Sequence, residues 1–317
     1  MCGIAGLHLL NPKLYPHLGE LLGGMLHQAA GRGNDSAGVG LYAAPGAIPA
    51  SQSTVCALDQ TPADQAVKLI SAAGPKPGDL TAANFGQTLV VTASSTAKDL
   101  ADAVLAALPK AAIISRGHDL TVLKGTGQPS QLAQDWHLAE RGGWQGVAHT
   151  RMATESAVTP GGSHPFSVGF DECLIHNGSF SNHESIRKRL SRAGLSFDSL
   201  NDTEVAARFV AHQLENGATS RQALTELIKT FDGFYTLLVS SARSFAVVRD
   251  AIACKPAIIA ETPDLVAVAS EYRYLAGLPG IASARIFEPD PEVIYLWERP
   301  LSPAQSATTS QLALSQN

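Results

Sequence analysis

Basic clusters, long apolar runs and paired cysteines are all missing from this chain of 317 residues. Lysine and arginine together number 23 against 28 aspartates and glutamates, and the net charge is −5. With the cations scattered, there is no stripe to follow a phosphate backbone, so nucleic acid is not expected as a partner. No stretch reaches the roughly 18 apolar residues of a membrane span. The N-terminus also lacks the basic flank, apolar core and cleavage site of a secretory signal. No membrane partner and a cytoplasmic location are therefore expected.

The four cysteines, Cys2, Cys56, Cys173 and Cys254, lie far apart and form no CxxC or Cys/His cluster. Neither a disulfide framework nor a metal site is expected. There is no GxxxxGK[ST], HExxH or GxSxG. "GTGQPS" and "GRGNDS" each contain GxG, but neither completes a dinucleotide fingerprint between a strand and a helix.

What is present is a 45% apolar composition, enough to bury a sizeable core. "CGIAGLHLL" reads as a strand, "LGELLGGMLHQAA" as a helix ending near Gly31, and "AGVGLYAA" as a second strand. From about residue 50 to 127 the composition shifts to Ala, Thr, Ser and Pro, with helical spacing in "ADQAVKLISAA" and "TAKDLADAVLAAL" and strand runs between them. That region is expected to be a small α/β insert. Capping-box patterns at Ser181/Glu184 and Asn201/Glu204 open two further helices, and "RQALTELIKTF" makes a third. The short Val- and Ile-rich segments from "FYTLLVS" to "EVIYLW" predict a sheet built mainly of sequence neighbours. Strands, helices, then strands again predict an α+β layered sandwich of two mostly antiparallel sheets. Residues 301–317, rich in Ser, Gln and Ala without charge, are expected to be disordered.

Chemistry is concentrated in a few short stretches. If Met1 is removed, Cys2 becomes the first residue and its α-amino group, with a reference pKa of about 8, can take the thiol's proton. A nearby cation would favour the thiolate, and Arg32 is a candidate. The alternative is a plain buried thiol. "HNG", at 176–178 on a loop after the strand "ECLI", is either a β-turn or an oxyanion hole made of the Asn177 amide and the Gly178 N–H. Arg151 in "HTRMATES" is either a surface ion pair or a bidentate holder of a carboxylate, with Thr154 nearby. Asp202 in "NDTE" either caps a helix or faces an ammonium group. A carboxylate holder and an ammonium holder beside a nucleophile describe a site for an amino acid carrying an amide, glutamine or asparagine.

In this order "MCGIAG", "GRGNDSAG", "AHTRMATESAV", "HPF", "IHNGSFSN", "NDTE", "DGFYTLL" and "VRDAIACKPAIIAE" with "ASE" resemble the motifs of class II glutamine amidotransferase domains, which are N-terminal-nucleophile hydrolases. The resemblance covers residues 2 to 45 and 140 to 280. It implies a four-layer αββα fold over residues 2–300, interrupted by the 50–127 insert. It also implies glutamine hydrolysis to glutamate and ammonia through a γ-glutamyl thioester. By motif, Cys2 is nucleophile and base, Asn177 and Gly178 form the oxyanion hole, Arg151 and Asp202 hold the substrate, and Thr154 and His164 line the pocket. Asn34 stands where the family usually has proline, and Met152 and Glu155 stand where hexosamine synthases have Trp and His.

The wording "AHTRMATESAVTP" is most similar to the amidotransferase-like subunit of N-methylglutamate synthase and related glutamate-synthase-like complexes. That likeness implies a hetero-oligomer in which this chain carries no cofactor and its partner subunits carry FMN and iron–sulfur clusters. Two other readings remain: a catalytically silent docking subunit, and an N-terminal-nucleophile amidase for another acyl group. A hydrophobic acyl group would leave Arg151 and Asp202 buried and unpaired, which disfavours the latter.

Overall fold

The computed structural model describes residues 2–73, 78–152 and 158–299. Its elements run β1 (Gly3–Leu9), α1 (Leu18–Ala29), β2 (Ser36–Tyr42), β3 (Gln52–Leu58), α2 (Ala63–Ala73), β4 (Gly78–Phe85), β5 (Thr88–Ser94), α3 (Ala97–Ala107), β6 (Ala112–Gly117), β7 (Leu120–Thr126), α4 (Pro129–Asp135) and β8 (Gln145–Arg151). The second half runs β9 (Glu172–Phe180), α5 (His183–Arg192), α6 (Asp202–Glu215), α7 (Ser220–Thr230), β10 (Gly233–Ser241), β11 (Ser244–Arg249), β12 (Ile258–Glu261), β13 (Leu265–Ala269), β14 (Arg285–Phe287) and β15 (Tyr295–Glu298).

Two antiparallel sheets face each other. The larger has the order β14-β12-β13-β1-β8-β2-β7 and the smaller β15-β11-β10-β9. Successive strand side chains point to opposite faces, so a central strand covered on both sides is largely apolar, and all seven residues of β1 are buried, with the polar His8 paired to Gln145 Oε1 at 2.8 Å. Ala5, Leu7 and Leu9 pack toward α1, whose Leu18, Leu22, Met25, Leu26 and Ala29 form one stripe. Ile4 faces the other way, meeting Ile175, Leu238, Phe245 and Val247 of the small sheet. On the far side of that sheet Leu174, Phe180, Tyr235 and Leu237 pack under α5, α6 and α7 through Ile186, Val205, Phe209 and Leu227. The order of layers is helix, sheet, sheet, helix.

Several expectations need correction. The strands after the helices are divided between the two sheets: β13 pairs with β1 (Ala5 opposite Ala269), and with β8 on the other edge the buried backbone N–H and C=O groups of β1 are satisfied on both sides. Strands β4-β5-β3-β6 form a separate sheet backed by α2 and α3, but β7, placed in the insert on composition, pairs with β2 as an edge of the large sheet. Ser181 does not cap α5. Asn182 occupies that position, and its amide is directed to Thr230 O at 2.9 Å. Asn201 does cap α6, accepting from Thr203 N at 2.8 Å, whereas the Glu204 carboxylate turns to Ser199 N (2.7 Å) and Arg208 Nε (2.8 Å). The reciprocal box is at Thr219 and Gln222, opening α7. Residues 301–317 lie outside the described residues.

Candidate active site

Strand parity decides which side chains enter the seam between the sheets. On β8 Val147 faces that seam, and therefore so do His149 and Arg151. On β9 Cys173 and Ile175 face it, and therefore so does Asn177. Cys2 continues the parity of Ile4 at the head of β1. Carrying the β1/β8 register one step past Gly3 opposite Thr150 places Arg151 opposite Cys2. Cys2, Arg151 and Asn177 thus converge at one end of the seam from three strands.

The carbonyl oxygen of Cys2 accepts from Arg32 Nε at 2.9 Å and from Asn177 Nδ2 at 3.3 Å. Arg32 spans the Cys2 carbonyl and Glu271, with Nη1 2.8 Å from Oε1. Its guanidinium is buried. Gly33 is required by close approach: a Cβ there would lie 2.7 Å from Met152 N, so the loop 30–35 can lie flat on the backbone that carries Arg151.

The "HNG" stretch lies inside β9 rather than in a loop, pairing with β10 through Asn177 opposite Thr236 and Gly178 opposite Tyr235. The Asn-Gly turn signal is overridden because β10 continues the ladder to Phe180. Gly178 has φ +138, a region that side chains rarely adopt.

Asp202 opens α6 and reaches back to β9, where Oδ2 accepts from Phe180 N at 3.0 Å. Its other oxygen accepts from the Thr203 hydroxyl at 3.3 Å. Thr203 Oγ1 also lies 2.9 Å from His164 Nε2 and 2.9 Å from His176 Nδ1. One assignment uses all three contacts: the hydroxyl donates to Asp202 and accepts an N–H from each imidazole. His149 Nε2 is 3.1 Å from the His176 carbonyl, and the rings of His149 and His164 are 4.1 Å apart. Burial pushes all three histidines below the usual imidazole range, His149 to about 3. Each has one ring nitrogen with no hydrogen-bond partner among the described residues.

Beside them Lys124 on β7 is 2% exposed, its ammonium 4.5 Å over the Phe166 ring, and burial lowers it to about 7. Thr154 and Glu155 lie outside the described residues. Among the described residues no group of three His, Cys, Asp or Glu side chains is arranged to hold a metal, and no helix is long and apolar enough to cross a membrane.

Sequence reasoning did not assign Thr203, His149, His176, Lys124 or Glu271. Thr203 and Glu271 sit inside the noted "NDTE" and "ASE" stretches, which was the available signal. Lys124 sits in an apolar strand pattern, and only the pairing of β7 with β2 reveals its burial.

Two facing antiparallel sheets between helix layers, with a cysteine heading a central strand beside an Asn-Gly pair, define the fold of the N-terminal-nucleophile amidotransferases. A solved structure of glutamine phosphoribosylpyrophosphate amidotransferase from B. subtilis, complexed with ADP and GMP, matches 95% of this chain and 50% of its own, with a TM-score of 0.59 and 17% identity, a likeness of fold. The model of the glutamine amidotransferase domain matches residues 149–277. The glutamine amidotransferase-like protein GlxB of Rhizobium meliloti (strain 1021) is 42% identical over 302 residues, covering 94% of this chain and 98% of that protein. A glutamine–fructose-6-phosphate aminotransferase (isomerizing) of Pseudomonas putida is 34% identical over 132 residues, 42% of this chain and 22% of that one. The chain belongs to the class II glutamine amidotransferase family.

Proposed function

We propose that this chain is a working glutaminase whose nucleophile is Cys2, exposed as the first residue by removal of Met1. The observation that carries the reading is the Cys2 carbonyl held between Arg32 Nε and Asn177 Nδ2. An amide nitrogen carries two hydrogens, so Asn177 can hold Cys2 with one and still offer the other to an oxyanion beside the Gly178 N–H.

In this reading the thiol proton passes to the α-amino group as Sγ attacks the side-chain amide carbon of glutamine, and the C=O electron pair moves onto the oxygen facing Asn177 and Gly178. Collapse of the intermediate expels ammonia, protonated by the same amine, and leaves a γ-glutamyl thioester. Water activated by the amine then releases glutamate and restores the thiol. Arg151 pairs with the substrate α-carboxylate and Asp202 with its ammonium, while Thr154 and His164 complete the pocket.

The nitrogen or the glutamyl group passes, in this proposal, to partner subunits of a glutamate synthase or N-methylglutamate synthase type complex that carry FMN and iron–sulfur clusters. The "AHTRMATESAVTP" wording supports this, as does the end-to-end match to an amidotransferase-like protein of similar length. A glutamine-mimicking diazoketone is expected to add its mass to the peptide beginning at Cys2. An unmodified peptide, under conditions that label a control amidotransferase, overturns the glutaminase reading. Co-purification with native partners tests the complex, and a Cys2→Ala variant that leaves complex activity intact would mark the chain as a docking subunit instead.

A further inference from the structure

We propose that Glu271 is a positioning residue for the nucleophile, acting through Arg32; the proposal rests on the glutaminase reading of Cys2. An N-terminal nucleophile poses a mechanical problem. Its α-amino group must keep its lone pair free to move protons, which leaves the carbonyl as the backbone group that can be held throughout the reaction. The orientation of the Cys2–Gly3 peptide plane then sets where Cα, and the amine and thiol it carries, lie relative to the substrate, and a misplacement of about 1 Å can lower a rate roughly a hundredfold. Two side chains hold that carbonyl, and one of them, Asn177, is also assigned to the oxyanion. The part left to Arg32 is to fix the residue.

A guanidinium on a long flexible stem fixes nothing unless it is itself fixed. Glu271 supplies this. Its Oε1 accepts from Arg32 Nη1 at 2.8 Å, and its Oε2 from Arg273 Nε at 2.8 Å, so both oxygens are engaged. The adjacent Ser270 grips the same strand: its Oγ accepts from Ile4 N at 2.9 Å, and its own N–H donates to the Ile4 carbonyl at 3.0 Å. The dipeptide Ser270–Glu271, just past β13, therefore clamps Ile4 directly and Cys2 through Arg32. The "ASE" stretch acquires a physical role: it turns the end of a neighbouring strand into a fixture for the first residues of β1.

The test uses the full chain with Met1 removed, confirmed by intact mass, in wild-type, Glu271→Gln and Glu271→Ala forms. Inactivation by 6-diazo-5-oxonorleucine, followed on the Cys2 peptide, gives a maximal rate and an inhibitor affinity separately. Glu271→Ala is expected to lower the maximal rate at least tenfold while the affinity changes less than about twofold, because the substrate holders are untouched. Glu271→Gln keeps one acceptor for Arg32 and is expected to recover part of the rate. An unchanged maximal rate, or a loss confined to affinity, overturns the proposal.

A second measurement needs no glutamine site. Removal of Cys2 by an aminopeptidase, read by mass, is expected to be at least tenfold faster in Glu271→Ala than in wild type, and equal trimming overturns the proposal. A wild-type chain that resists the diazoketone while the variants differ in trimming overturns the glutaminase reading and leaves the clamp standing.

Discussion

Gly178 on β9 lies against the carbonyl oxygen of Phe234 on β10, with its backbone at φ +138. A methyl group there would collide with that oxygen and with Tyr235 Cα, and both belong to a ladder that cannot retreat without breaking the pairing of β9 with β10. The same glycine presents the N–H proposed for the oxyanion. Backbone geometry and chemistry therefore depend on one missing side chain.

Gly178→Ala is expected to lose roughly 2 kcal/mol or more of stability, the strain of a side chain at positive φ with the clash added. Diazoketone labelling of Cys2 should fall more than tenfold. Urea denaturation checks the first and peptide mass kinetics the second. A variant with wild-type labelling would remove Gly178 from the oxyanion hole.

Thr203 is the hub on which His164, His176 and Asp202 meet. Thr203→Val keeps the shape but strands two buried imidazole N–H groups, each costing roughly 1–3 kcal/mol. A loss of about 2–6 kcal/mol is expected in chemical denaturation, together with weaker diazoketone affinity as Asp202 loses a donor. Thr203→Ser, retaining the hydroxyl, should restore most of both.

How much of this was legible follows from what each feature depends on. The helix–sheet order and the αββα layering were readable because β1, α1 and α5 to α7 carry their burial pattern locally, in runs of two or three turns. Cys2, Arg151, Asn177 and Asp202 were readable as candidates because the chemistry of an amide-bearing amino acid needs those residue types. What stayed hidden depends on pairings across the chain: β13 beside β1, β7 on the large sheet, Glu271 holding Arg32 across 239 positions. The local turn preference of Asn177-Gly178 predicts a loop, whereas its ladder partner lies more than 50 residues on. Long-range register is what local pattern cannot supply.

Lys124 provides a pH test. Burial lowers its folded-state pKa to about 7, whereas the unfolded chain titrates near 10.4. Below pH 7 both states carry the charge, and the penalty of burying it is present in full. Between about 7 and 10.4 the unfolded state binds more protons, so the penalty is relieved as pH rises, by an amount on the order of 4 kcal/mol. Lys124→Met should therefore be more stable than wild type at pH 6 by a few kcal/mol, with the difference shrinking toward pH 10. A difference independent of pH would mean that Lys124 is not buried as a cation.

Glu172, the first residue of β9, gives the reverse sign. It lines two small cavities, each about 10 Å³, both bordered by Val210 and Val239 and one of them by Leu214. Burial, with the Glu215 carboxylate as a lesser cause, raises it to about 8, against an unfolded value near 4.3. Between those two pH values the folded state holds the proton and the unfolded state does not. The stabilisation is fully present below about pH 4.3 and is lost as pH rises through 8, by roughly 1.4 kcal/mol per unit at the steepest. Glu172→Gln mimics the protonated acid at every pH, so the wild type should match it near pH 4.5 and fall progressively below it toward pH 8. Urea denaturation of both proteins at pH 4.5, 6 and 8 checks this. Parallel curves would show that the carboxyl is ionised in the folded protein and that the cavities beside it admit the water needed to solvate it.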